Sequence, residues 1–263
     1  MSKNIRFILI FILGFTFYYF FDFFCFKNIQ VFSKEVFHSK AIAHVIAYSI
    51  TLIPLVITLK ILIPERSIWD LFSLNKPIFK GFTLAFAGTL PMLTGYLFHF
   101  KMLTAIDFEA LFINTVSSAF FEEIIFRAFL IRIVYRFTRL GFLSSALFGS
   151  MLFAQVHLYQ SRNITELVEI FVITFLGSIF FAWVYFESGY NLWTAVFLHF
   201  YMNLYWEIFS VSENVSGNLY GNIYKVFSII IMIAVVINFK KKHKIPVEIT
   251  WKTLFVKTRE VQS

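Results

Sequence analysis

The sequence predicts an all-α protein, a polytopic bundle of about eight transmembrane helices with its active site inside the bundle. Three observations support this fold class. Hydrophobic residues make up 59% of the 263 residues and aromatic residues 21%, with 38 phenylalanines spread along the whole chain. Charged residues amount to only 14%, well below the quarter typical of soluble domains. The apolar residues fall into eight segments near the ~20 residues that a spanning helix needs.

The chain is expected to form a single integral-membrane domain over residues 1–263, with its core motifs in 108–209 and a basic cytoplasmic tail over 240–263. The eight predicted spans are about 5–26, 41–63, 80–99, 108–131, 140–157, 165–186, 189–209 and 222–239.

The first three predicted spans contain few polar residues. Lys3 and Arg6 precede the first span as in a signal peptide, but no small-x-small cleavage site follows, so we expect the span to be retained. The second and third contain Pro54 and Pro91, which bilayer helices tolerate when neighbours satisfy the freed carbonyls. The segment 65–80 between them mixes apolar and charged residues and is compatible with a short interfacial helix.

The distribution of lysine and arginine predicts the orientation of the chain. Basic residues are denser in the N-terminus, the tail and alternate loops, which favours both termini in the cytoplasm and explains the net charge of +8 without a nucleic-acid partner. The cluster Lys240–Lys244 is expected to meet anionic lipid headgroups. Short loops favour a bacterial cytoplasmic membrane. The single cysteine, Cys25, excludes an intramolecular disulfide.

Three charged residues lie in the interior of the fourth predicted span: Glu122, Glu123 and Arg127. An ionised group near the bilayer centre costs about 2.5–3.5 kcal/mol on insertion scales, so these side chains need partners. Glu123 and Arg127 are four residues apart in the favourable order for an ion pair on one helix face. Glu122 is rotated about 100° from Glu123 around the helix axis, and no cation in the segment faces it. The spacing therefore predicts one paired acid and one acid left free for chemistry.

Two further predicted spans carry inward-facing polar residues. In the fifth, a stripe of small residues that includes Gly149 leads through Phe153 to His157, so this face is expected to pack on protein. In the seventh, His199 and Asn203 lie one turn apart on one face. Simpler interpretations remain open, since His157 alone is compatible with an inert interfacial histidine, and His199 with Asn203 is compatible with helix-to-helix hydrogen bonding.

We expect three other acids to be solvated, because they lie near the ends of predicted spans: Asp22, Glu187 and Glu207.

Taken together, the polar residues supply the parts that amide hydrolysis requires. A carboxylate that accepts a proton from water, an imidazole and donors for an oxyanion are distributed over three spans. A transporter that uses Glu122 and the histidines as a proton relay is a weaker alternative, because no inverted repeat is visible.

Glu122-Glu123-x-x-x-Arg127, Phe153-x-x-x-His157 and His199-x-x-x-Asn203 resemble the three signature motifs of the CPBP family, which joins CAAX prenyl endopeptidases to bacteriocin-processing and self-immunity (Abi) proteins. The resemblance implies an intramembrane glutamic endopeptidase. It implies that Glu122 activates the attacking water with His157, that His199 and Asn203 hold the oxyanion, and that Glu123 and Arg127 shape the site. A non-catalytic member acting as membrane scaffold or immunity factor is the alternative.

No cofactor and no metal are expected, although zinc at Glu122, His157 and His199 is an alternative against which the absence of His-Glu-x-x-His counts. The expected partners are a membrane-associated peptide or protein substrate and the lipid bilayer; the sequence does not specify the substrate or the oligomeric state.

The proposed pairing of Glu122 with His157 requires that the two side chains lie at a similar depth in the bundle. Straight helices place Glu122 roughly 13 Å and His157 roughly 25 Å from the same end of the bundle, so tilt or a shifted span must bring them together.

Overall fold

The computed structural model describes residues 3–257, and it is all-helical over that range with no β-strand, as predicted. The backbone of residues 140 and 256 forms one isolated bridge. Residues 258–263, the end of the predicted tail, lie outside the described range.

Helices follow one another with short connections. In the first part of the chain they are α1 (Lys3–Phe37), α2 (Lys40–Thr51), α3 (Ile53–Leu62), α4 (Ile68–Leu71) and α5 (Ile78–His99). A continuous helical run over residues 108–137 then consists of α6 (Phe108–Phe112), a first π-helix (Ile113–Ser117), α7 (Ser118–Glu122), a second π-helix (Glu123–Ile133) and α8 (Val134–Phe137). The remaining helices are α9 (Phe142–Val156), a 3₁₀ turn (Leu158–Gln160), α10 (Ile164–Glu187), α11 (Leu192–Ile208) and α12 (Leu219–His243).

Helices occupy all eight predicted segments, but the number of eight spans is not confirmed. Six helical stretches within residues 3–257 are long and apolar enough to cross a membrane: Ile5–Phe37, Lys40–Leu62, Ile78–His99, Phe142–Gln160, Ile164–Glu187 and Leu219–His243. Helix α11 has only 17 residues, and the run over 108–137 is divided into short α- and π-helical pieces. These helices indicate a multi-pass membrane protein.

Two apolar clusters form the interior. The first joins α1, α3, the second π-helix, α9 and α10, and includes Phe11, Leu55, Phe129 and Phe153. The second joins α5, α10, α11 and α12, and includes Met92, Val184, Leu198 and Met232. The run over 108–137 is thus packed on one side by α1 and α3 and on the other by α9 and α11, which places its charged residues inside protein.

The proline inside α5 is accommodated by a neighbouring helix. Pro91 lies inside the helix, and the amide of the next residue, Met92, donates to Ser228 Oγ of α12 at 3.0 Å in a buried position. Pro54 lies in the first turn of α3, directly after the break between α2 and α3, where proline is favourable. The partner beside Pro91 is for an amide, so the expected partners for freed carbonyls stay a prediction.

The chain after α12 folds back as a strap, residues 245–257, across the start of α9. Backbone carbonyls of Phe255, Thr253 and Leu254 accept hydrogen bonds of 2.7–2.8 Å from the amides of Gly141, Phe142 and Leu143. The first amides of a helix have no partner within the helix. The strap therefore caps the helix that carries Phe153 and His157.

Two expectations near the strap are wrong. Glu187 is not solvated but 1% exposed, and it binds Lys240 Nζ together with the amides of Glu248 and Ile249. Lys240 belongs to α12 and is 5% exposed, so it does not meet headgroups, whereas Lys241, Lys242 and Lys244 are exposed. A buried carboxylate needs such charged and amide partners, and Glu187 has them.

Candidate active site

The helical run that carries the first motif changes its geometry at the motif itself. Helix α7 ends at Glu122, and the second π-helix begins at Glu123 and continues for 11 residues. The sequence predicts an uninterrupted α-helix over this segment. π-helical turns are rare and often occur at functional sites. The wider turn separates the environments of the two adjacent glutamates.

The predicted ion pair between Glu123 and Arg127 is present. Glu123 Oε2 lies 3.1 Å from Arg127 Nε, and both side chains are completely buried. The second oxygen, Glu123 Oε1, lies 2.9 Å from His199 Nδ1 on α11. Glu123 therefore neutralises the arginine of its own helix and orients an imidazole of another helix.

Arg127 is held mainly by charge and by aromatic rings. Its guanidinium carbon lies 4.2 Å from the ring centre of Phe153 and 5.4 Å from that of Phe181. Its Nη1 and Nη2 have no hydrogen-bond partner among the described residues, and its contact with Glu123 is an ion pair rather than an aligned hydrogen bond. Cations over aromatic faces are stabilised most when they are desolvated, so Phe153 is part of what keeps this charge buried.

Glu122 has a different environment. The residue is half-buried, and its Oε2 atom is buried without a hydrogen-bond partner in the described part of the chain. Its carboxylate interacts electrostatically with the hydroxyls of Tyr18 on α1, Tyr48 on α2 and Tyr159 after α9. A carboxylate oxygen without a partner is free to accept a hydrogen bond or a proton from water.

His157 directly follows the last residue of α9. Its Nδ1 lies 2.7 Å from the carbonyl oxygen of Phe153. A carbonyl only accepts hydrogen bonds, so Nδ1 carries a proton and Nε2 is left for another partner. The ring also packs on Phe153, with 4.4 Å between ring centres. The helix end thus fixes both the tautomer and the orientation of His157.

His199 and Asn203 lie one turn apart on α11. His199 is 6% exposed and directs Nδ1 to Glu123, which leaves its Nε2 for another partner. Asn203 donates one amide hydrogen to the carbonyl of Asn114 at 2.8 Å, in the first π-helix. Its second amide hydrogen has no assigned acceptor among the described hydrogen bonds. Both side chains therefore keep one polar group for a ligand.

Phe153 is the residue that links the three motifs. Its ring contacts Arg127 from the first motif and His157 within the second, and its centre lies 6.4 Å from that of His199 in the third. One residue of each motif therefore lies near the ring of Phe153, which the motif resemblance gave as a site-shaping residue.

The structure does not join every pair that the resemblance implies. Within residues 3–257, no hydrogen bond or ion pair connects Glu122 to His157 or to His199. Glu122 does interact electrostatically with Tyr159, two residues beyond His157. Hydrolysis by this pair requires a water molecule that contacts both Glu122 and His157.

The sequence reasoning missed three residues near Glu122. Tyr18 and Tyr48 carry no motif signal, and Asp22 was expected to be solvated at a span end. The structure corrects the latter, since Asp22 is half-buried and its Oδ1 atom is buried without a partner in the described chain. The expectation failed because α1 is longer than predicted. It continues to Phe37, so Asp22 lies well inside the helix and not at its end.

The alternative zinc site does not assemble in the described residues. No group of three or more His, Cys, Asp or Glu side chains within residues 3–257 is arranged to hold a metal ion. In particular, His199 is directed to Glu123, which Arg127 already neutralises.

Comparison with known proteins agrees with the motif assignment. Residues 104–205 match the family model described as type II CAAX prenyl endopeptidase Rce1-like. This range contains all three motifs and extends from the residues before α6 almost to the end of α11. The searches of curated proteins and of solved structures gave no match. Residues 104–205 are therefore similar to the Rce1-like type II CAAX prenyl endopeptidases, which is consistent with the resemblance of the three motifs to the CPBP family.

Proposed function

We propose that this protein is an intramembrane endopeptidase that hydrolyses a peptide bond in a membrane-associated peptide or protein, with Glu122 as the general base. The observation that carries the proposal is the contrast between two adjacent acids. Glu123 uses both oxygens on Arg127 and His199, whereas Glu122 keeps a buried oxygen without a partner in the described chain. The family match supplies the reaction class, since the matching model describes endopeptidases.

The proposed reaction begins with a water molecule between Glu122 and His157. Glu122 accepts a proton from the water, and the oxygen forms a bond to the carbonyl carbon of the substrate. The free Nε2 of His157 accepts the second hydrogen of the same water as a hydrogen bond and orients it. Glu122 then delivers its proton to the amide nitrogen as the carbon–nitrogen bond breaks. No cofactor or metal takes part in this scheme.

The developing oxyanion is assigned to His199 and Asn203. When His199 is protonated on both nitrogens, Nδ1 donates to Glu123 and Nε2 donates to the oxyanion. The free amide hydrogen of Asn203 supplies a second donor. Removing one oxyanion donor typically lowers kcat by about 10²–10³-fold, which is the effect we expect for Asn203→Leu.

Cleavage assays with a neutral isostere test the assignment of the base. We expect Glu122→Gln to lower cleavage at least about 10²-fold, the lower limit of a typical general-base contribution. Membrane-associated peptides from cells with wild-type protein and with Glu122→Gln are compared by mass spectrometry. Glu65→Gln, an exposed carboxylate in the loop before α4, is the control.

The outcomes separate the protease from its alternatives. Peptides that disappear in the Glu122→Gln cells but remain with Glu65→Gln support hydrolysis. An unchanged peptide pattern, with the cellular phenotype of the wild type retained, would instead assign the protein to scaffolding or immunity by binding.

The proposed location is a bacterial cytoplasmic membrane, with both termini in the cytoplasm. The distribution of basic residues supports this orientation.

A further inference from the structure

A cavity of about 170 Å³ lies between α1, the second π-helix and α9. Its wall is mostly apolar. Phe23 and Val156 are exposed at its mouth, with 71% and 46% of their surfaces accessible, so the cavity opens on the outside of the helical bundle. The other apolar lining residues are Phe15, Ile125, Phe126 and Leu152. The proposed reaction uses none of these residues.

Asp22 is the one ionisable acid in the cavity wall. Its Oδ1 atom is buried and has no hydrogen-bond partner, and no lysine, arginine or histidine of residues 3–257 forms a salt bridge with it. A carboxylate in apolar surroundings is unfavourable unless it is paired with a cation or protonated. Asp22 is therefore the carboxylate of the cavity wall with which a cation entering from the mouth would pair.

The cavity is adjacent to the candidate active site. Phe126 lines the cavity, and its ring centre lies 5.1 Å from that of Phe153, which packs on His157. Asp22 and Glu122 also interact electrostatically with the same two tyrosines, Tyr18 and Tyr48. A side chain seated in the cavity would thus belong to a residue close to a bond held at Glu122.

We propose that Asp22 is a specificity-determining residue and that the cavity binds a lysine side chain of the peptide substrate. This inference rests on the proposed endopeptidase function. The four-carbon stem of lysine is apolar and its ammonium group is charged, so the stem matches the aromatic and aliphatic wall and the ammonium matches Asp22. Asp22 interacts with the Thr51 hydroxyl but has no cationic partner among the described residues. A neutral aliphatic side chain would fill the same wall but leave the carboxylate without a cation, which is the source of the selectivity.

A binding experiment tests the cavity without requiring catalysis. The unfolding midpoint of the purified full-length protein in neutral detergent is measured with hexylamine and, at equal concentration, with hexanol. We expect hexylamine to raise the midpoint relative to hexanol for the wild type, because a ligand that binds only the folded state stabilises it. The difference should vanish in Asp22→Asn. Glu35→Gln, an exposed carboxylate of α1 outside the cavity, should retain it.

A cleavage experiment tests the specificity. Membrane-anchored peptides that carry lysine, norleucine or glutamate at one varied position are offered as a mixture, and the rates are compared by mass spectrometry. We expect lysine to be preferred over norleucine by about tenfold at one position, corresponding to a coupling of about 1.4 kcal/mol. Asp22→Asn should remove this preference while norleucine peptides are still cleaved, and Asp22→Glu should restore it.

The two experiments distinguish failure of the inference from failure of the proposed function. A wild-type midpoint that responds equally to hexylamine and hexanol, or a lysine preference that survives Asp22→Asn, overturns the role of Asp22 even if peptides are cleaved. A charge-dependent midpoint that requires Asp22, with no peptide cleaved, supports the binding site and overturns the protease. If Asp22→Asn does not fold, the wild type decides: an equal response to hexylamine and hexanol, or equal rates for lysine and norleucine peptides, overturns the inference.

Discussion

Glu122 and Glu123 are the same type of residue in adjacent positions, and their surroundings give them different tasks. Glu123 is fully buried and is bound by Arg127 and His199, so it is part of the structure. Glu122 has no such partner and borders the hydroxyls of Tyr18 and Tyr48. The i,i+4 spacing predicted the first of these environments. The partner on α11 was not predictable, because nothing local in the sequence specifies which helix faces Glu123.

This difference leads to a prediction for stability. Arg127→Met removes the cation and leaves Glu123 as a buried charge, so we expect destabilisation of about 3–5 kcal/mol, the range for breaking a buried ion pair. The double variant Glu123→Gln/Arg127→Met should recover a large part of this loss, because neither charge then remains unpaired. Unfolding of the purified protein in mixed micelles, followed by tryptophan fluorescence, is the measurement.

Glu122→Gln is the matched control for that experiment, since it neutralises the adjacent acid without breaking an ion pair. We expect its stability to equal or exceed that of the wild type, because a carboxylate without a partner is itself unfavourable in this environment. A loss for Glu122→Gln as large as for Arg127→Met would contradict the distinction between the two acids.

At the scale of helices, the chain departs from the predicted pattern where the site lies. The apolar pattern of 108–131 predicted a helix correctly but not its π-helical turns at Ile113–Ser117 and Glu123–Ile133. Hydrophobic periodicity distinguishes helix from strand, and a change in hydrogen-bond register between residues of similar apolarity leaves little trace in it. The strap that caps α9 was also not predicted, because its hydrogen bonds are between backbone groups.

The strap gives a prediction that depends on one glycine. A Cβ atom at Gly141 would lie 2.5 Å from the carbonyl oxygen of Thr253 and 2.6 Å from backbone carbons of Leu254 and Phe255. Gly141→Ala should therefore push the strap away from α9 and leave the amides of Phe142 and Leu143 without acceptors, at a cost of about 1–3 kcal/mol for each buried donor that stays unpaired.

Hydrogen exchange measures this effect directly. The amides at the start of α9 should exchange faster in Gly141→Ala than in the wild type. Gly177→Ala is the control, since a Cβ atom there meets nothing within 4 Å, and alanine in a helix is more favourable than glycine. Unchanged protection of Phe142 and Leu143 in Gly141→Ala would show that the strap is not what caps the helix.

For the whole molecule, composition was sufficient to predict a helical membrane protein, and the positions of all eight apolar segments agree with observed helices. The number of crossings is a different quantity. Length and hydropathy identify six helical stretches in residues 3–257, and they leave out the two that carry the first and third motifs. Helix α11 has 17 residues, and the run over 108–137 is divided into short α- and π-helical pieces, so helix length and continuity leave out the helices that carry the site.

The eight-span topology predicts which loops share a side of the membrane. In a Cys25→Ser background, single cysteines at positions 65 and 140 should be on the side of the termini, and cysteines at 104 and 213 on the opposite side. All four positions are exposed in loops. A membrane-impermeant thiol reagent applied to inside-out and right-side-out vesicles shows on which side of the membrane each cysteine lies.

Positions 104 and 140 decide the question, because they flank the run that contains Glu122. Labelling from opposite sides means that this run crosses the bilayer and holds its unpaired acid within the membrane, as the proposed intramembrane hydrolysis requires. If both positions are labelled from one side, the run over 108–137 enters and leaves on the same face. Glu122 would then work at the membrane surface, and a substrate bond inside the bilayer would be out of its reach.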